Sequence, residues 1–152
     1  MDAAFPAKWH LLPIASTGPE KHAGSILGEG WQFKTTNDPT IIQSWLDAGN
    51  DIGLHLGQIS GVIDVEADSP EANELADELF ANIACPTFLS TRGTHRLFAW
   101  DDRFLQFDKI VIKWRGIEFR VGGKDANGNP KGCMSVIPPS TNRTWITPPT
   151  IE

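Results

Sequence analysis

The chain has 152 residues, of which 40% are hydrophobic and 21% charged, a composition typical of one globular domain. Its formal net charge of -6 argues against a module that binds duplex nucleic acid through bulk positive charge. Two cysteines without zinc-site spacing, and no apolar run long enough for a bilayer, lead us to expect a soluble cytoplasmic protein with free thiols and no membrane contact.

The first third of the chain predicts a strand, a loop and a helix. Residues 9–15 have the composition of a short strand, and a glycine-rich stretch to residue 30 predicts a loop. Asn37 or Asp38 can cap a helix that Pro39 opens and Gly49 ends. Its buried face is predicted from the apolar residues at helical spacing, which are Ile41, Ile42, Trp45 and Leu46.

The middle of the chain predicts two strands and a second helix. The strands are predicted over residues 51–57 and 61–66. Asp68 or Ser69 can cap the helix, Pro70 suits its first turn, and it is expected to run to about Ala81. Its apolar stripe should lie in the core and consists of Ala72, Leu75, Ala76, Leu79 and Phe80.

After Pro86 the chain is rich in strand-forming residues. Five strands are predicted, over residues 87–91, 94–100, 109–114, 117–121 and 134–137. The order of strand, helix, two strands, helix and further strands favours an α+β fold with helices packed on one face of a sheet.

Two carboxylates occur two residues apart in the segment Val62-Ile63-Asp64-Val65-Glu66. Because side chains alternate along a strand, Asp64 and Glu66 share one face while Ile63 and Val65 enter an apolar layer on the other. Like charges so close repel one another unless a cation lies between them, and Mg²⁺ suits a site of oxygen ligands. A solvated acidic strand face is the alternative interpretation.

Two further segments carry groups that can bind phosphate or metal. Arg92 and His95 flank the turn Gly93-Thr94, where side chains and backbone amides can donate to phosphate oxygens. A half-buried histidine bonded to a neighbour is the alternative there. Alternation also presents Glu118 and Arg120 on one face of their strand, where the alternative is an exposed ion pair at a sheet edge.

Taken in order, these segments resemble the prim-pol family, the bifunctional DNA primase/polymerase branch of the archaeo-eukaryotic primases. The resemblance extends over nearly the whole chain. It is carried by Lys21, Gly30-Trp31, Thr35-Thr36-Asn37-Asp38-Pro39 with Ile41 and Trp45, Asp51-Ile52-Gly53-Leu54 with Gly57, Ser60-Gly61 and the two carboxylates that follow, Gly93 with His95, Gly116-Ile117-Glu118-Phe119-Arg120 with Gly122-Gly123, and Pro138-Pro139-Ser140. Two features depart from the family's pattern: Thr91-Arg92-Gly93 replaces a usual Ser-Gly-Gly, and residues 124–131 form an extra hairpin.

The resemblance implies one primase/polymerase catalytic domain over residues 1–152, alone or as the N-terminal part of a larger replication protein. It implies an archaeo-eukaryotic primase-like α+β core, with a mixed β-sheet flanked by helices and an RRM-like catalytic half. The implied activity is template-directed nucleotidyl transfer with two Mg²⁺ or Mn²⁺ ions. The implied partners are nucleoside triphosphates, a single-stranded or primed DNA template and a replicative helicase.

The resemblance also assigns roles to individual residues. The implied catalytic residues are Asp64, Glu66, Glu118 and His95, of which the three carboxylates are metal ligands. The implied nucleotide-binding residues are His95, Arg92, Thr94 and Arg120. Two other functions stay open, a metal-dependent nuclease and a non-catalytic relic of the fold that binds nucleotide or nucleic acid. All three carboxylates are present, which favours an active enzyme, while de novo priming and the choice between ribo- and deoxynucleotides are left undecided.

Overall fold

A computed structural model describes residues 4–17 and 22–151. Within these ranges the chain forms nine strands and three α-helices. The strands are β1 (Leu11–Ile14), β2 (Asp51–His55), β3 (Val62–Ala67), β4 (Thr87–Leu89), β5 (Thr94–Ala99), β6 (Val111–Trp114), β7 (Ile117–Arg120), β8 (Met134–Ile137) and β9 (Thr144–Thr147), and the helices are α1 (Gly24–Leu27), α2 (Pro39–Asp47) and α3 (Pro70–Phe80). The predicted α+β class is confirmed, and Lys21 lies outside the described residues.

The strands divide between two sheets, where the sequence predicted one. The smaller sheet has the order β1-β2-β8, and the larger has the order β6-β7-β3-β5-β4-β9. Every pairing between these strands is antiparallel, so neither sheet is mixed. The helices also differ from the prediction of a single covered face, because α1 and α2 pack against the smaller sheet while α3 packs against the larger.

Two apolar layers cover the two faces of the larger sheet. The layer shared with the smaller sheet includes Leu11, Leu54, Ile137, Val62, Phe88 and Leu97. The layer beneath α3 includes Ile63, Val65, Ile117, Ala72 and Ala76. Strand β3 is therefore buried along its whole length, and the prediction that Ile63 and Val65 enter an apolar layer is confirmed.

Both longer helices begin where the sequence predicted. The Asp38 carboxylate accepts the backbone N–H of Thr40 at 2.9 Å and caps α2, and a proline follows it. The Ser69 hydroxyl accepts the backbone N–H of Ala72 at 3.1 Å and caps α3, again ahead of a proline. Such caps satisfy amide groups that the first helical turn leaves without partners.

The apolar stripes of these two helices are only partly buried. Ile42 is buried and Trp45 packs against the layer between the sheets, but Ile41 is 42% exposed. In α3, Leu79 is 46% exposed although it keeps the helical spacing. Each helix covers a narrow strip of sheet, so residues at the margins of the stripe face solvent.

The sequence does not predict two of the observed elements, because neither segment shows a clear helical or strand periodicity in its apolar residues. The short helix α1 lies in the predicted loop, and tertiary contacts hold it: the backbone N–H of Ala15 donates to Ser25 Oγ and Lys34 Nζ donates to the Leu27 carbonyl. Strand β9 is an edge strand beside β4, and only its Trp145 packs against the core. Among the described residues, no helix combines the length and the apolar character needed to cross a membrane.

Candidate active site

The register of three neighbouring strands brings the predicted site residues to one face of the larger sheet. Glu66 on β3 lies opposite His95 on β5 and opposite Glu118 on β7. Asp64, two residues away on β3, lies opposite Arg120 on β7. Residues directly opposite in antiparallel strands project to the same side, so Glu118 shares the face of Asp64 and Glu66.

Asp64 is fully buried, and its two carboxylate oxygens have different surroundings. Oδ2 accepts hydrogen bonds from His95 Nδ1 at 2.7 Å and from Ser135 Oγ at 2.5 Å. Oδ1 is buried without a hydrogen-bond partner. A buried carboxylate oxygen without a donor is costly, so this atom marks a place where a cation or a donor from a ligand would stabilise the site.

The imidazole of His95 is held on three sides. Because the Asp64 carboxylate can only accept, Nδ1 of His95 carries the proton in their hydrogen bond. The fully buried ring of Phe88 stacks on the imidazole with centroids 4.4 Å apart and 7° between the planes. Nε2 lies 3.1 Å from Ser90 Oγ and 3.8 Å from Glu66 Oε1. His95 is 7% exposed and is one of the residues that line the adjoining cavity.

Arg120 joins the two glutamates that face each other across β3 and β7. Its Nε lies 3.2 Å from Glu66 Oε2, an ion pair without hydrogen-bond alignment, and its Nη2 lies 3.5 Å from Glu118 Oε2. Its Nη1 donates to the Met134 carbonyl at 3.1 Å. Lys113 Nζ is 3.2 Å from the other carboxylate oxygen of Glu118. Like charges directly opposite in a sheet destabilise it, and these cations offset that repulsion.

The charges of this group shift the pKa values of its members. Burial raises the pKa of Glu66 above that of an ordinary glutamate, and the charges of His95 and Arg120 only partly offset the rise. Burial by itself would lower the pKa of the Arg120 guanidinium, but the charges of Glu66, Asp64 and Glu118 outweigh it and hold the pKa above its usual value. Arg120 is thus a fixed positive charge among the carboxylates.

A cavity of about 340 Å³ opens beside these residues. Its lining includes Glu66, His95 and three arginines, Arg92, Arg120 and Arg143. Three guanidinium groups against one carboxylate make this cavity suited to an anion such as a phosphate chain. A larger cavity of about 460 Å³ lies at the other end of β3 and β5, around Trp9 and Val62, away from the carboxylates.

The structure separates one predicted residue from this group and adds three. Thr94 alternates with His95 along β5, so its hydroxyl points to the other face and donates to Asn73 Oδ1 of α3 at 2.8 Å. It is therefore not among the residues that line the cavity. The added residues are Ser90, Ser135 and Arg143, which line the cavity. Neither serine belongs to a recognisable pattern, and Arg143 lies in none of the motifs predicted to form the site.

The carboxylates provide the oxygen ligands that Mg²⁺ and Mn²⁺ prefer, and the unpartnered Asp64 Oδ1 fits a cation. Within residues 4–17 and 22–151, however, no three His, Cys, Asp or Glu side chains stand together in a way that could hold a metal ion. Arg120 instead pairs with Glu66 and Glu118. The ligand chemistry therefore fits a divalent ion, and in this arrangement Arg120 pairs with two of the three carboxylates.

Comparison with known proteins gives one positive result. Residues 2–151 match the family model for Prim-Pol, described as the N-terminal domain of bifunctional DNA primase/polymerase. A search of curated proteins finds no match.

Proposed function

Because the chain belongs to the bifunctional DNA primase/polymerase family, we propose that it is a template-directed nucleotidyltransferase that uses two Mg²⁺ or Mn²⁺ ions. A primase/polymerase type of function follows from membership of the family. The observation that supports nucleotidyl transfer with two metal ions is the strand register. It brings Asp64, Glu66 and Glu118 to one sheet face beside an arginine-lined cavity.

The divalent ions would be held by Asp64, Glu66 and Glu118. Such ions, when bound, lower the pKa of an attacking 3′-hydroxyl and neutralise a departing pyrophosphate. The chain's own contribution is to fix the ligands: Ser135 and His95 hold Asp64 Oδ2, and Oδ1, which has no hydrogen-bond partner, would be left to bind a cation. Ligands fixed in this way lose little conformational freedom when an ion binds.

The incoming triphosphate would bind in the cavity of about 340 Å³. Arg92, Arg120 and Arg143 supply guanidinium donors for its oxygens, and His95 would add an Nε2–H donor as an imidazolium, because its Nδ1–H is given to Asp64. The stacked Phe88 and the hydrogen bond to Asp64 fix the direction of the imidazole before the nucleotide arrives. Phosphoryl transfer depends mainly on such positioning and charge neutralisation.

A primer-extension assay tests the proposal. Given primed template, deoxynucleotides or ribonucleotides and Mn²⁺ or Mg²⁺, the protein should lengthen a labelled primer. Asp64→Ala should lower the extension rate roughly a hundredfold or more, while Asp47→Ala, which removes an exposed carboxylate on α2, should leave the rate unchanged. His95→Ala should weaken nucleotide binding in a titration without unfolding the protein.

The same assay separates the other functions. A labelled strand that only becomes shorter in the presence of metal would indicate a nuclease. Neither extension nor cleavage, with a helicase partner supplied, would indicate a domain that binds nucleotide or nucleic acid without catalysis. Reactions without a primer test de novo priming separately, because priming needs a site for a first nucleotide as well as the transfer chemistry.

A further inference from the structure

We propose that Arg120 is a resident cation of the carboxylate site, which neutralises Glu66 and Glu118 while no metal is bound and competes with the divalent ion for them. The inference rests on the proposed metal-dependent function and adds a regulatory role for a residue on the same strand face. It starts from the contacts of the guanidinium group, which pairs with both glutamates through different nitrogen atoms.

The need for such a cation comes from the strand register. Glu66 and Glu118 are directly opposite each other on β3 and β7, and the Glu66 side chain is only 10% exposed. Carboxylates directly opposite each other repel one another, and a positive charge held between them offsets that repulsion. Arg120 supplies that charge because its guanidinium stays protonated under all ordinary conditions.

Among the described cations near the site, Arg120 is the one that pairs with both Glu66 and Glu118. Lys113 also pairs with Glu118, but its side chain is 74% exposed, so solvent screens the interaction. Arg92 lines the same cavity, but its side chain is not ion-paired with either glutamate. Arg120 is in addition anchored by its hydrogen bond to the Met134 carbonyl, which ties it to the smaller sheet.

Competition follows from these contacts. The guanidinium contacts Glu66 Oε2 and Glu118 Oε2, oxygens through which the two glutamates would also hold a divalent ion. An ion held through these two oxygens would displace Arg120. Removal of the guanidinium should make this displacement unnecessary and leave a more negative site, which binds a divalent cation more tightly.

Mn²⁺ binding to the protein without nucleotide tests the inference. Free Mn²⁺ is measured by electron paramagnetic resonance for the wild type, for Arg120→Gln and for the control Arg92→Gln, which removes the same charge from the same cavity. We expect Arg120→Gln to bind Mn²⁺ on the order of tenfold more tightly than the wild type, and Arg92→Gln to change the affinity much less. We also expect Mn²⁺ to raise the melting temperature of Arg120→Gln more than that of the wild type.

Equal Mn²⁺ affinity in the wild type and Arg120→Gln would overturn the inference, and so would an equal gain in Arg92→Gln, which would show a general field effect. If Arg120→Gln does not fold without metal, Arg120→Lys is used in its place. A lysine keeps the charge but cannot contact both glutamates through separate nitrogen atoms. Tighter Mn²⁺ binding by Arg120→Lys than by the wild type would support the inference, and unchanged binding would oppose it. If no variant binds Mn²⁺, the proposed metal-dependent function fails together with the inference. If all bind it equally, only the inference fails.

Discussion

Gly93→Ala is the substitution for which the structure gives the sharpest expectation. Gly93 precedes β5, and its carbonyl accepts the backbone N–H of Ser90 in a tight turn. A Cβ atom at this position would lie 1.8 Å from the Ala67 carbonyl oxygen and 2.8 Å from the Ala67 carbonyl carbon. Both are backbone atoms of the paired strand β3, so no side chain can rotate away to make room.

The cost follows from what must move. The end of β3 and the start of β5 would have to separate by an ångström or more, which disturbs the pairing of Ala67 with Thr94. Overpacking of this kind costs about 1–3 kcal/mol, and a weakened backbone hydrogen bond adds about 1 kcal/mol. We expect a loss of about 3 kcal/mol in the free energy of unfolding, equivalent to about 6–12 °C in Tm for a chain of this size.

Urea denaturation of the variant beside the parent protein measures this loss. Gly24→Ala is the matched control, because a Cβ there meets nothing closer than 3.6 Å and the residue opens α1. That control should change the free energy of unfolding by less than about 1 kcal/mol. If Gly93→Ala unfolds at the same urea concentration as the parent, the close approach of the two strands does not constrain this turn.

Two further predictions test burial elsewhere in the chain. Burial lowers the pKa of His55 below the ordinary 6.5. As the pH falls, the unfolded chain therefore binds a proton before the folded chain does, and the stability of the fold should decline below about pH 6.5. In thermal melts from about pH 7.5 to about pH 5, His55→Gln should flatten this decline, and equal slopes in the variant and the parent would contradict the assignment. Trp45→Ala should lower the free energy of unfolding by about 3 kcal/mol, because the Trp45 ring packs against the core. Ile41→Ala should lower it by less than about 1 kcal/mol, because that side chain is 42% exposed. Equal losses in urea denaturation would show that the buried face of the helix is misassigned.

Local rules explain which parts of the fold could be read from the sequence. Asp38 and Ser69 cap helices because their short side chains reach the first free amides, an interaction within four residues. Alternation along a strand is equally local, and it correctly puts Asp64 with Glu66, and Glu118 with Arg120. The order of these segments also predicted the family, because it depends only on residue types and their spacing.

The assembly of the site depends on strand pairing, which no short segment encodes. The sequence could not say that Glu66 lies between His95 and Glu118, since that register joins strands far apart in the chain. Ser135 reaches Asp64 from a different sheet, across 71 residues. The tertiary structure therefore decided which donors hold Asp64.

The same distinction explains where the structure differs from the sequence predictions. Thr94 was assigned to the site because it adjoins His95, but adjacent strand residues point to opposite faces and its hydroxyl donates to α3. The sequence did not predict the division into two sheets, because the composition of β8 indicates a strand but not its partner. The pairing of β8 with β2 places it in the smaller sheet. In this protein, composition and hydrophobic periodicity determined the helices, the strands and the chemical groups they carry. Long-range packing decided how Arg120 came to lie between two glutamates, because each strand buries its apolar face against a partner that is distant in the sequence.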